Sequence, residues 1–209
     1  MSLPIIIIGG GGHASVIYEI LIMRSADILG YVAPQRSPSK LQHCAYLGDD
    51  AILTNYSNEE VMLANGLGSV SRPTARKNIF ELFKGAGYRF TSVIHPNTVI
   101  SSSAILSEGV QIMAGSIVQN QVVCADNVLV NTGAIIDHHC NIGAHTHVSV
   151  RAAICGNVTV GEECHLGAGS TIIQGVSVDE KCSVGAGAVV INDILSEQTV
   201  VGVPARRVG

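Results

Sequence analysis

A six-residue rhythm runs through the C-terminal half of the chain and constrains its fold more than any other feature. From Ile94 an aliphatic or Cys residue returns at every sixth position, through Ile100, Leu106, Ile112, Val118, Cys124, Val130, Ile136, Ile142, Val148, Ile154, Val160, Leu166, Ile172, Val178 and Val184 to Val190, without a slip. Four residues after each stands a small or β-branched side chain, among them Thr98, Ala104, Ser116, Ala134, Cys140, Ala152, Cys164, Ser170 and Ala188. Several repeats open on an aliphatic–Gly pair, as in Ile142-Gly143, Val160-Gly161, Leu166-Gly167 and Val184-Gly185. The period reads as a parallel β-helix: each hexad is one short strand plus a corner, and three hexads close one triangular coil. The aliphatic side chain fills the interior, and the small one lies where the corner excludes bulk.

Composition agrees with many short strands joined at tight turns. Gly is frequent (23 residues), aromatics make up 4%, charged residues 13% and hydrophobic residues 47%. Disordered chains are poor in β-branched residues, so this is a folded chain. The net charge is −4, with no Lys- or Arg-rich block, which argues against nucleic acid as a principal partner. No apolar run reaches the roughly 18 residues of a membrane span. Met1 to Ile8 lacks a basic stretch and a small-residue cleavage site, so it reads as a first strand and not as a signal peptide. The six cysteines form no C-x-x-C pair, which points to a reducing, cytoplasmic setting. Cys164 and Cys182, one coil apart, would stack as small buried thiols at a separation that a disulfide can also span.

Residues 1–90 follow a different rule. Ile5 to Ile8 is a continuous apolar run, as in a parallel strand buried on both faces, and Gly9-Gly10-Gly11-Gly12-His13 interrupts it. Ala14 to Met23 has helical spacing, Ile28 to Val32 reads as a second strand, Val70 closes a third, and Arg76 to Lys84 reads as a helix ended by Gly85. This is a small α/β domain, a Rossmann-like βαβ unit with its glycine turn at the carboxyl end of the first strand. Residues 91–194 form the β-helix and residues 195–209 a tail.

Polar residues that break the repeat are the candidates for chemistry. Asp137, His138 and His139 lie between the inward Ile136 and Cys140, and so face outward at one corner. His147 and His165 each precede an inward residue and are one coil apart, so they should lie one above the other. A neutral imidazole takes a proton near pH 7, which suits His138 to general-base work. Acyl transfer also needs a donor for the thioester oxygen, and the backbone N–H of Gly156 at a corner can supply one. The tail, Val201-Gly-Val-Pro204-Ala-Arg206-Arg207, is basic and suits the phosphates of coenzyme A.

In this order, Ile8-Gly9-Gly10-Gly11-Gly12-His13-Ala14, Val93-Ile94-His95-Pro96, Asn131-Thr132, Ile136-Asp137-His138, His147-Val148-Ser149, Gly156 and Gly202-Val203-Pro204-Ala205 resemble the NeuD/PglD-like family of sialic acid O-acetyltransferases and nucleotide-linked amino-sugar N-acetyltransferases. The resemblance spans the chain. It implies a left-handed β-helix and a homotrimer with active sites between subunits. It also implies acetyl-CoA as cosubstrate and a nucleotide-linked amino sugar, with UDP-4-amino-4,6-dideoxy sugars foremost, as acceptor. By the same resemblance His138 is the base and Asp137 a candidate partner. His147, Gly156, Pro204 and Arg206 contact the donor, Gly11, Gly12, His13 and Asn131 the acceptor, and no metal is expected. Two positions depart from the family. His139 stands where an acid usually follows the catalytic histidine, and Val32-Ala33-Pro34 lacks the acid usually found after the second strand. O-acetylation of a sugar hydroxyl is the alternative. Two other classes fit the repeat: a zinc enzyme of the γ-carbonic anhydrase type using His138, His147 and His165, and a non-catalytic scaffold.

Overall fold

The computed structural model describes residues 3–37, 39, 41–69 and 74–208. The N-terminal unit is a four-stranded parallel sheet. Strand β1 (Ile5–Ile8) is buried along its length and pairs with β2 (Ile28–Val32) on one side and β4 (Met62–Asn65) on the other, while β3 (Tyr46–Gly48) forms the edge beside β2. Helix α1 (Gly12–Met23) begins in the glycine turn and buries Ala14, Ile17, Ile20 and Leu21. The third strand expected after the polar stretch around Asn58-Glu59-Glu60 is β4, and its expected close at Val70 lies outside the described residues; the short edge strand β3 was not foreseen. Helix α2 (Thr74–Gly85) starts before the expected Arg76 and includes Gly85. The left-handed turn falls instead at Gly87 (φ 90°), whose N–H donates to the Lys84 carbonyl.

From Val93 the chain winds into a parallel β-helix of two-residue strands. A first face stacks Val93–Ile94, Gln111–Ile112, Leu129–Val130, His147–Val148, His165–Leu166 and Ser183–Val184, then Thr199–Val201. A second face runs from Val99–Ile100 through Ile135–Ile136 to Val189–Val190, and a third from Ile105–Leu106 through Asn141–Ile142 to Ser177–Val178. Pairing joins each strand to the one 18 residues on, as in Leu129↔His147 and Val130↔Val148. Both repeat positions point inward: Val130, Ala134, Ile136, Cys140, Val148, Ala152 and Cys164 are buried in one continuous core. The thiols are free, and Cys164 and Cys182 donate to the carbonyls of Asp179 and Leu195.

A second device, invisible in the hydrophobic pattern, sets the corners. Every sixth residue from Gly109 to Gly187 has positive φ, including Gly133 (67°), His139 (60°), Arg151 (56°) and Lys181 (56°). This left-handed conformation costs a non-glycine residue about 1–2 kcal/mol, which the ladder and the core offset. At Gly161 the reason for glycine is proximity: a Cβ there would lie 2.5 Å from the Glu180 backbone nitrogen of the next coil.

The N-terminal unit docks on the early coils of the first face. Val93, Met113 and Leu129 join α1 in one apolar cluster, and Lys77–Glu163 (2.8 Å) and Lys84–Asp126 (2.6 Å) flank it. Between the two runs a buried polar seam. His13 Nε2 donates to Gln111 Oε1 (2.8 Å), Gln111 Nε2 donates to the Asn65 carbonyl (2.8 Å), and Asn65 Nδ2 donates to Asn127 Oδ1 (3.2 Å). Arg76, buried and without a carboxylate partner among the described residues, donates through Nη1 to the carbonyls of Asn65 and Leu67, and burial lowers its pKa to about 9. Burial first, then this cation, lowers His13 to about 4. Burial, then His165 and Arg76, lowers His147 to about 3, against an opposing bond from the Ser69 main chain.

Both imidazoles are therefore neutral in the fold, whereas the unfolded chain protonates them once the pH drops below 6.5. Stability should be full above that value and decline through the window down to pH 3–4, where the folded rings also protonate. By pH 5 His147 alone should account for about 2 kcal/mol. Thermal melting at pH 7 and 5 should show a drop in Tm that shrinks in His147→Gln; an equal drop in the variant would contradict this origin.

Candidate active site

His138 sits at the corner where the second face turns into the third. Its side chain and that of Asp137 are each nearly half exposed, at 45% and 43%. The imidazole lies directly over Gly156 on the next coil. A Cβ at Gly156 would stand 2.5 Å from Cε1, 2.7 Å from Nε2 and 3.1 Å from Nδ1, so only glycine leaves the ring its place. The Gly156 residue is buried, and the inter-coil bonds use its neighbours: Cys155 N–H donates to the Ile172 carbonyl and Asn157 N–H to the His138 carbonyl. The Gly156 N–H has no hydrogen-bond partner among the described residues.

Asp137 serves the backbone before the ring. Its Oδ1 accepts the His138 N–H at 2.8 Å, and its Oδ2 is 3.9 Å from Nε2, beyond hydrogen-bond length. The ring's hydrogen bond goes to His139: Nδ1 to Nδ1 is 2.9 Å, with the rings nearly perpendicular at 86°.

His147 and Asn131 are brought together elsewhere, on the first face. Asn131 Nδ2 donates to His147 Nε2 at 3.1 Å, and the His147 ring stacks edge-on to His165 (centroids 5.0 Å apart) as the one-coil spacing led us to expect. Burial also lowers the His165 pKa. These rings line a groove of about 490 Å³ with Ser69, Ser149, Val184 and Ala186, open along the later coils that the N-terminal unit leaves uncovered. Within one chain, then, His138 lies at a corner, away from His147 and His165 on the strands of the first face. No trio of His, Cys, Asp or Glu among the described residues is arranged to hold a metal ion.

Gly11, Gly12 and His13 line a separate cavity of about 360 Å³ with Gly66 and Gly68. A Cβ at Gly11 or Gly12 would meet nothing within 4 Å, so bare backbone at the α1 N-terminus faces open space. No side chain caps that terminus, a setting that favours anions. Pro204 and Arg206 lie in the tail, which pairs Thr199–Val201 with Ser183–Val184 and folds back so that Arg206–Arg207 runs antiparallel to it. Both arginines are exposed and border a cavity of about 270 Å³ with Asp193 and Gln198.

Sequence reasoning missed Gln111 and Arg76, which tie the glycine turn to the β-helix. Gln111 carried a signal, because it is a polar residue directly before an inward Ile112 on a face otherwise apolar at that level.

Comparison with known proteins accords with this geometry. The PglD N-terminal domain family matches residues 4–83, and the hexapeptide repeat of succinyl-transferase matches residues 157–191. No curated protein matches the chain. Among solved structures, the acetyltransferase domain of PglB from Neisseria gonorrhoeae is 31% identical, covering 99% of this chain and 100% of its own, with a TM-score of 0.92. The same domain in complex with acetyl coenzyme A gives the same identity and TM-score. PerB from Caulobacter crescentus, in complex with CoA and GDP-perosamine, is 34% identical over the whole of both chains, with a TM-score of 0.90. Helix-capped parallel sheet, left-handed β-helix and matching repeats extend together over the full length, and the chain belongs to the NeuD/PglD-like family of hexapeptide-repeat acyltransferases.

Proposed function

We propose that this enzyme moves an acetyl group from acetyl-CoA to the amine of a nucleotide-linked amino sugar, with His138 as general base. The observation that carries the reading is the His138 ring seated on Gly156, beside an N–H that the fold leaves unused. The sugar amine attacks the thioester carbon, Nε2 of His138 takes the amine proton, and the Gly156 N–H receives the negative charge that develops on the thioester oxygen. The C–S bond then breaks, and the proton passes to the departing thiolate. Asp137, 3.9 Å from Nε2, favours the imidazolium that exists between those two steps.

The remaining parts have a place in the same reading. Residues 1–90 hold the acceptor: Gly11, Gly12 and His13 at the α1 N-terminus suit its diphosphate. The groove at Asn131, His147 and His165 and the basic tail at Pro204 and Arg206 suit the donor. The outward ladder of the second face is apolar except at Thr171, with Val99 64% and Ile135 40% exposed and Ile117, Ala153 and Val189 in line, whereas Asn141, Thr159 and Ser177 make the later third face polar. Three copies meeting through the second face would cover that ladder and bring one subunit's groove to another's His138, a homotrimer with shared sites. The relatives' complexes, with acetyl coenzyme A in one and with CoA and GDP-perosamine in another, support CoA as donor fragment and a nucleotide-linked sugar as acceptor. Six free thiols fit a reducing compartment, and we assign the cytoplasm.

Release of free thiol from acetyl-CoA should appear with one member of a panel of UDP-, GDP- and dTDP-linked 4-amino sugars and not with free sialic acid. In His138→Ala, kcat should fall by about 10²–10⁴ with the fold intact; full activity in that variant would end the proposal. In Gly156→Ala the new methyl displaces the ring, and kcat should fall at least about tenfold. Unchanged turnover there would remove Gly156 from the site.

A further inference from the structure

The base is exposed on a convex corner, and an imidazole so placed can turn about both side-chain torsions unless something holds it. What holds it is the neighbouring residue. His139 occupies a left-handed corner position (φ 60°), and that bend turns its ring back toward His138 instead of away from it, as successive residues of an extended chain would point. The two Nδ1 atoms meet at 2.9 Å. A contact of that length between imidazole nitrogens holds one proton, with one ring donating and the other accepting. The opposite edge of His138 faces the reaction: Nε2 is the nitrogen near Asp137 Oδ2 and near the bare backbone of Gly156.

We infer that His139 is a positioning residue for His138, accepting the Nδ1–H of His138 on its own Nδ1 and thereby leaving the Nε2 lone pair of His138 free to take the acceptor's proton. The inference rests on the acetyl-transfer reading above. It assigns the tautomers of both rings: His138 carries its proton on Nδ1 and His139 on Nε2. When Nε2 of His138 gains a proton, its Nδ1–H remains bonded to a neutral ring. The charge of the imidazolium is then met by the His139 lone pair on one edge and by the Asp137 carboxylate on the other. The reverse tautomer would place a proton on Nε2 of His138 and leave it nothing with which to act as a base.

Two experiments test this separately from the reaction itself. Glycine tolerates the corner's φ without strain, so His139→Gly removes the ring while keeping the backbone, and its melting temperature checks the fold. With acetyl-CoA and whichever 4-amino-sugar nucleotide the wild type turns over, kcat of His139→Gly should fall about tenfold or more with both KM values unchanged. His139→Glu, which restores an acceptor at the same place, should regain most of the lost kcat. Unchanged kcat in the glycine variant, a rise confined to KM, or no rescue by glutamate would overturn the role. The second experiment needs no acceptor. In ¹⁵N-histidine protein at pH 7.5, assigned with the single variants, Nδ1 of His138 should show the shift of a protonated ring nitrogen and Nδ1 of His139 that of an unprotonated one. The opposite pattern would overturn the tautomer assignment whether or not acetyl transfer is the reaction.

Discussion

Everything in this molecule depends on the ladder between coils. Each two-residue strand pairs with the strands 18 residues before and after it, and the inward aliphatic side chains fix the register, because a slip would turn the core outward. Once that register is set, outward residues one coil apart must stack. The His147–His165 pair, the apolar ladder of the second face and the seating of His138 on Gly156 are all consequences of the same repeat.

Rigidity of this kind suits the base proposed above, which would work at the surface. A site in a cleft is held by walls, whereas His138 stands on an edge with nearly half of its side chain exposed. Its near neighbours are Gly156 on the next coil, His139 at one edge and Asp137 at the other. Away from this edge the molecule does the opposite with its imidazoles. His13 is partly buried and His147 buried; both are held neutral beside the Arg76 guanidinium and hydrogen-bond where the N-terminal unit meets the β-helix.

The β-helix was legible because its interior obeys a simple count, and the histidines were legible because they interrupt that count. What escaped was what the count does not encode. The left-handed corners recur as regularly as the aliphatic residues, yet Gln121, His139, Arg151 and Lys181 carry no mark of it, since the ladder imposes the conformation on whatever side chain is there. The contact between His138 and His139 was hidden for that reason: neighbours in an extended strand diverge, and only the corner makes them converge. Strand β3 was missed because a three-residue edge strand gives little periodic signal. The Arg76 seam was missed because a buried cation with backbone partners has no pattern in one dimension.

The central claim is that this edge brings an imidazole and a bare amide to a bound thioester. A crystal structure with acetyl-CoA tests it most directly. The account predicts that, at the contact between two subunits, the thioester oxygen lies within about 3 Å of the Gly156 nitrogen, with the carbonyl carbon within reach of an amine poised on His138 Nε2. A thioester bound far from His138 and Gly156 on every subunit would contradict it.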